Sequence, residues 1–159
     1  MADVSIKNGN SKFKFRVSGL IKKDGKILIQ KIMDNPFYCL PGGHVGLGED
    51  TLTAIKREVL EEIGKETKNE RLFAIIENFF AGTEGGVYHE LGFYYEVELD
   101  GDIETKDYTI IENDDGVDKK LEYKWVTIDE LDKVDFRPVT LKEIIKQNPK
   151  AIAHIIMEK

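Results

Sequence analysis

The chain is poor in the residues that staple, anchor or basify a protein. Of its 159 residues only one is cysteine, Cys39, so an internal disulfide is excluded. Four prolines and no biased tract argue against a disordered or fibrous chain. The longest apolar runs, such as residues 72–76, fall far short of the roughly 20 residues needed to cross a bilayer, so no membrane partner is expected. The N-terminal stretch MADVSIKNGN lacks the apolar core of a signal peptide, which makes the cytoplasm the expected compartment. Basic residues are also in deficit: 23 Lys and Arg against 30 Asp and Glu leave a net charge of -7. Nucleic acid polymers select basic surfaces and are excluded as partners, and a small anionic ligand would need a cation to mediate its binding.

What is present fits one folded domain. Hydrophobic residues make up 41% and charged residues 33%, enough to close one core, and a single domain over residues 1–159 is expected, with residues 1–11 as a candidate disordered tail. Phe13, Phe15 and Val17 alternate with polar neighbours, Asp24-Gly25 interrupts, and KILIQKI follows, which predicts a β-hairpin. A short strand or loop carrying Phe37, Tyr38 and Leu40 runs into Pro41-Gly42-Gly43, where a helix cannot continue. RLFAIIENFF and VYHELGFYYEVEL predict a second antiparallel pair. Residues 100–118 carry eight acids against one lysine and are expected to form a solvated loop or a partly ordered segment. LEYKWV predicts a late strand, Thr127 a cap on a short helix through Leu131, and residues 139–147 a last amphipathic helix.

The chemistry concentrates between residues 50 and 64. Leu52, Ile55, Val59 and Ile63 recur at helical spacing, Asp50 suits the N-cap, and Gly64 suits a left-handed C-cap. At about 100° per residue, Glu58, Glu61 and Glu62 fall within a ~100° arc of this helix. Carboxylates so placed repel one another unless a cation compensates. Hard oxygen ligands of this kind suit Mg²⁺ or Mn²⁺, with substrate phosphates and water completing the shell. Arg57 can orient one of the carboxylates, most simply Glu61 at i+4. Gly42 and Gly43 allow the backbone to approach a metal, and a carbonyl there can serve as a further ligand. Ordinary solvation of an acidic helix face is the alternative reading of the three glutamates alone.

The spacing favours the metal. The segment GHVGLGEDTLTAIKREVLEEIGK resembles the Nudix box, G-x5-E-x7-R-E-U-x-E-E-x-G-U with U aliphatic, and matches it at Gly43, Glu49, Arg57, Glu58, Val59, Glu61, Glu62 and Gly64. Two positions depart: Lys65 replaces the final aliphatic residue, and Gly46 stands where family members often carry an acid. Lys65 follows the helix C-terminus, where a cation is favourable. Gly46 loosens the loop or makes room for substrate. The preceding strand pair, the LPGG entry and the later WVTIDEL are also similar to the family. This resemblance implies an α/β fold, a Nudix-type α/β/α sandwich with a mixed β-sheet, and hydrolysis of a nucleoside diphosphate linked to another moiety. It implies that Glu58 and Glu62 are the principal metal ligands, that Glu61 is an assisting ligand or water-binder, that Glu49 and Arg57 are supports, and that Gly42 or Gly43 supplies a carbonyl. A homodimer is a further family-level expectation.

Such a reaction is attack of a metal-activated water on phosphorus, and it needs a general base. Glu61, Glu112 and Glu122 are the candidates, with Glu122 favoured by its place three residues before Trp125. Tyr38, just before LPGG, is the candidate pocket wall, although aromatics on strands more often serve the core. His44 flanks the catalytic loop and is a candidate phosphate contact. Cys39 has no constellation for nucleophilic work. The competing reading is a catalytically silent module that keeps the fold and senses a nucleotide.

Overall fold

The structure, a computed structural model, describes residues 1–32, 34–114 and 116–158. In chain order its elements are β1 (Ser5–Asn8), β2 (Ser11–Lys23), β3 (Lys26–Ile32), β4 (Gly42–His44), α1 (Thr51–Ile63), β5 (Thr67–Ala81), β6 (Val87–Leu99), β7 (Tyr108–Asp114), β8 (Val117–Thr127), a 3₁₀ turn (Asp129–Lys133), α2 (Val139–Gln147) and β9 (Ala153–Met157). Asp24 and Gly25 both take positive φ, 50° and 73°, the geometry a two-residue hairpin turn requires, and Lys23 pairs with Lys26 across it.

The strands form a mixed sheet in the order β7-β8-β3-β2-β6-β5-β9, with β1 and β4 both paired to β2. β2 runs parallel to β6 and β5 parallel to β9, while the remaining pairs are antiparallel. Alternate residues of each strand feed two separate cores. Leu20, Ile27, Ile29, Tyr94 and Val126 pack with Leu131, Phe136 and the α2 residues Leu141, Ile144 and Ile145. Ile21, Leu28, Tyr95, Val97 and Trp125 pack with the α1 residues Ala54, Ile55 and Val59. A sheet with a helix on each face is the α/β/α sandwich expected from the resemblance.

Three segments differ from the sequence expectation. Residues 5–8 of the expected tail form β1, because Ile6 and its neighbours find a ladder on residues 11–14 of β2. The acidic stretch is a loop only to its middle. Tyr108 and Ile110 alternate with Thr109 and Ile111, and their pairing with Tyr123 and Leu121 makes β7 a strand packed on the α1-side core. Its high charge count masked a period of two. β9 was not anticipated at all and completes the sheet beside β5. Within α1, Ala54 rather than Leu52 joins the core, and Leu52 is exposed.

Candidate active site

α1 is fixed at both ends as its sequence suggests. Thr53 donates its backbone N–H to the Asp50 carboxylate at 2.8 Å, and Gly64 adopts φ 73° and donates to Leu60 O at 3.0 Å. The helix is thereby held against β2 and β4 with Glu58 facing the LPGG segment. A Cβ on Gly43 would lie 2.4 Å from Glu58 Oε1 and 2.6 Å from Oε2, so only glycine lets this carboxylate lie against the β4 backbone. A Cβ on Gly42 would lie 2.1 Å from Val17 O, which makes that glycine a requirement of the β2–β4 ladder.

Arg57 does more than the expected contact with Glu61. Its Nε and Nη2 fork onto the two oxygens of Glu49 at 2.8 and 2.9 Å. Nη2 also donates to His44 O at 3.1 Å, and Nη1 donates to Glu58 at 2.8 Å and to Glu61 at 3.3 Å. The loop before α1 is therefore tied to the helix through one guanidinium. Glu49, whose other bond comes from the Gly46 N–H at 2.8 Å, has its pKa lowered chiefly by Arg57. Burial raises the pKa of Glu58, with Arg57 opposing. Gly46 opens no room for a ligand, because the Met1 sulfur lies 1.9 Å from where its Cβ would be.

Glu62 occupies the least compensated position. Its Oε2 is buried without a hydrogen-bond partner, its Oε1 has a 3.5 Å contact from Gln30 Nε2, and the Tyr123 hydroxyl also opposes the rise of its pKa. Gln30 also donates to Tyr123 Oη at 2.9 Å, and Tyr123 stacks on Tyr108 with centroids 4.6 Å apart. Burial first, and the neighbouring Glu58 second, push the Glu62 pKa up to about 8. A carboxylate walled by apolar and aromatic groups, next to another carboxylate, lacks a positive charge. A polar Gln30 within the apolar run KILIQKI is a signal that sequence reading could have used for this wall, whereas Tyr108 and Tyr123 give none.

These residues fit a divalent cation. Among the described residues no three or more His, Cys, Asp and Glu side chains already stand in a cage. A phosphate-bound Mg²⁺ needs only one or two carboxylates, however, and the unpartnered Glu62 Oε2, the adjacent Glu58 and the Cβ-free backbone at Gly43 supply that much. Glu61 is turned toward Arg57 and is largely exposed.

The other anticipated residues are scattered. Glu122 leaves β8 on the surface opposite to Tyr123, away from α1, with Lys120 Nζ 3.6 Å from its carboxylate; a strand's alternation carries it there. Glu112 shares the surface of Tyr108 and Ile110, and its charge adds to the rise at Glu62. Tyr38 packs against the α2-side core with the Lys31 ammonium 5.7 Å from its ring centroid, and its N–H bonds Asp135 O. His44 pairs with Arg16 across β2 and β4, has Nδ1 3.5 Å from Asp3, and is held near pKa 4 by burial and then by Arg16. A burial-raised pKa of about 11 keeps Cys39 a thiol.

A mixed sheet between two helices, with a carboxylate helix entered through a glycine pair, defines a class of fold and site that comparison with known proteins identifies. The NUDIX domain profile matches residues 13–147, and the chain belongs to the Nudix family. It is 44% identical over 62 residues to an ADP-ribose pyrophosphatase of Methanocaldococcus jannaschii, a match spanning 37% of each protein. The fold is similar to a mutator MutT protein of Bacillus halodurans, with a TM-score of 0.65 at 19% identity over 89% of both chains. It is also similar to a NUDIX hydrolase of Nitrosomonas europaea, with a TM-score of 0.56 at 25% identity over 85% of this chain and 87% of the other.

Proposed function

We propose that this protein is a divalent-metal-dependent pyrophosphohydrolase that cleaves the phosphoanhydride bond of a nucleoside diphosphate linked to another moiety. The observation that carries this reading is the buried, unpartnered oxygen of Glu62 beside Glu58 at the Gly43 backbone. A nucleotide sensor has no use for a carboxylate left uncompensated in this way, whereas a site that receives a cation together with phosphate does.

In this reading Glu58 and Glu62, with a carbonyl of Gly42 or Gly43, hold Mg²⁺ or Mn²⁺, and the ion when bound supplies charge neutralisation and acidifies a water. Arg57 keeps Glu58 and Glu61 oriented and ties Glu49 to the loop. Glu61, exposed at the rim, is placed to bind water. Glu112 replaces Glu122 as the preferred general base beyond the box, since it lies on the carboxylate side of the sheet. Tyr38 and His44 are retained only as contacts at the margin of the cleft.

The name of the Methanocaldococcus relative puts ADP-ribose first among substrates to try. The cytoplasm is the compartment proposed, in keeping with a single cysteine that can form no internal disulfide. A homodimer is proposed, and light scattering that returns the monomer mass refutes it. The function is tested by phosphate and AMP release from ADP-ribose, nucleotide sugars, nucleoside triphosphates and dinucleoside polyphosphates, with and without Mg²⁺ or Mn²⁺. Metal-dependent cleavage of one class is the expected result, and nucleotide binding without cleavage across the panel favours the silent sensor.

A further inference from the structure

β9 ends the sheet on the side of β5. Among the described residues its outer edge pairs with no strand, and residues 151–158 make no backbone hydrogen bond outside the ladder to β5. The period of two divides its side chains. Ala153, Ile155 and Met157 pack against the core that α2 covers, whereas Ile152, His154, Ile156 and Glu158 are exposed. Ile152 and Ile156 leave 52% and 58% of their surface in solvent, and His154 between them holds Glu77 at 2.6 Å.

An open edge flanked by exposed isoleucines is a template for another strand, and natural proteins commonly blunt such edges with charge or proline. β9 has neither within its span, only Lys150 before it and Glu158 after it. The opposite edge strand, β7, carries Glu112 and no base, so a second copy there would bring like charges together.

A two-fold axis normal to the sheet brings two β9 edges together antiparallel. Centred on His154, this pairing sets Ile152 opposite Ile156 and Ala153 opposite Ile155 of a second copy, and it brings Lys150 toward Glu158 at both ends. The exposed isoleucines then cover one another, and the only lysine and the only acid of residues 148–158 are matched twice by symmetry. A centre at Ala153 sets Lys150 against Ile156, and a centre at Ile155 sets Glu158 against Ile152. Neither neighbouring register matches the charges.

We propose that the open edge of β9 is a self-complementary interface, pairing antiparallel about His154 with β9 of a second copy and extending the sheet across two molecules. This rests on the homodimer of the proposed function and supplies its surface. A pair of five-residue strands covers less than the roughly 1,200–2,000 Å² of a stable interface, so the dimer is expected to dissociate in the micromolar range.

The test combines sedimentation equilibrium over about 1 µM to 1 mM with oxidative cross-linking of cysteine variants. The wild type is expected to dimerise with rising concentration, and Ile156→Asp, a change at an exposed position, to stay monomeric with unchanged circular dichroism. Lys150→Glu and Glu158→Lys are each expected to weaken the dimer roughly 3- to 30-fold, and the two together to restore it. His154→Cys puts two thiols on the axis, where the ~4.5–5.5 Å Cα spacing of paired strands suits a disulfide. Ile156→Cys offsets them by four residues, about 13 Å, and is expected not to cross-link, with the wild type as the control for Cys39. A monomer throughout the range overturns this interface together with the homodimer. A dimer that persists in Ile156→Asp, or that fails to cross-link through His154→Cys more readily than through Ile156→Cys, overturns the β9 interface alone. Turnover of the substrate panel tests the hydrolase separately.

Discussion

Gly43 and Arg57 are the two residues on which the position of the carboxylates depends. With a Cβ at Gly43 only 2.4 Å from Glu58 Oε1, one of the two must shift. Gly43→Ala is therefore expected to cost roughly 1–3 kcal/mol of stability, as overpacking does, and to weaken Mn²⁺ binding, which a melting curve and a metal titration together measure. Arg57 serves Glu49, Glu58 and Glu61 from one planar fork that a lysine cannot reproduce. Arg57→Lys is expected to lower kcat about 10- to 100-fold, the usual effect of losing a residue that orients metal ligands. Circular dichroism unchanged from wild type, with kcat also unchanged, would remove Arg57 from that role. The box residues were legible in the sequence because their spacing is fixed. Tyr108 and Tyr123 were not, since each reaches the site through strand pairing with partners far along the chain.

At the scale of the element, α1 carries both halves of the design on one helix. Ala54, Ile55 and Val59 anchor it to the sheet, Glu58 and Glu62 lie partly buried beside them, and Glu61 is exposed. Its left-handed cap at Gly64 keeps the last turn, and with it Glu61 and Glu62, in helical register. Gly64→Ala is expected to cost about 1 kcal/mol, the steric penalty of a side chain at positive φ, read as a lower melting temperature. The helix, its caps and both hairpins followed from local pattern, turn chemistry and periodicity. β7 was hidden by its charge, and β9 by its short length and its parallel pairing to a strand more than seventy residues earlier. Glu122 was misplaced for a related reason: proximity in sequence to Trp125 says nothing about which surface of β8 a residue occupies, whereas the register assigns Glu112 to the side of Glu62.

For the whole molecule, the two cores cover the sheet on both faces, and β2 and β3 share a ladder only at their hairpin base. The net charge of -7 makes this organisation intelligible. An acidic protein attracts a phosphate ligand only through a localised cation, and in the proposed function that cation is a metal drawn by the partly buried carboxylates of Glu58 and Glu62. The central claim, that Glu58 and Glu62 form the metal site that drives hydrolysis, is tested most directly by measuring Mn²⁺ binding and ADP-ribose turnover on the same preparations of wild type and Glu62→Gln. The account predicts that Glu62→Gln loses both while melting at the same or a higher temperature without metal, since a buried unpaired carboxylate has been neutralised. Wild-type metal affinity and turnover in the folded variant would contradict it.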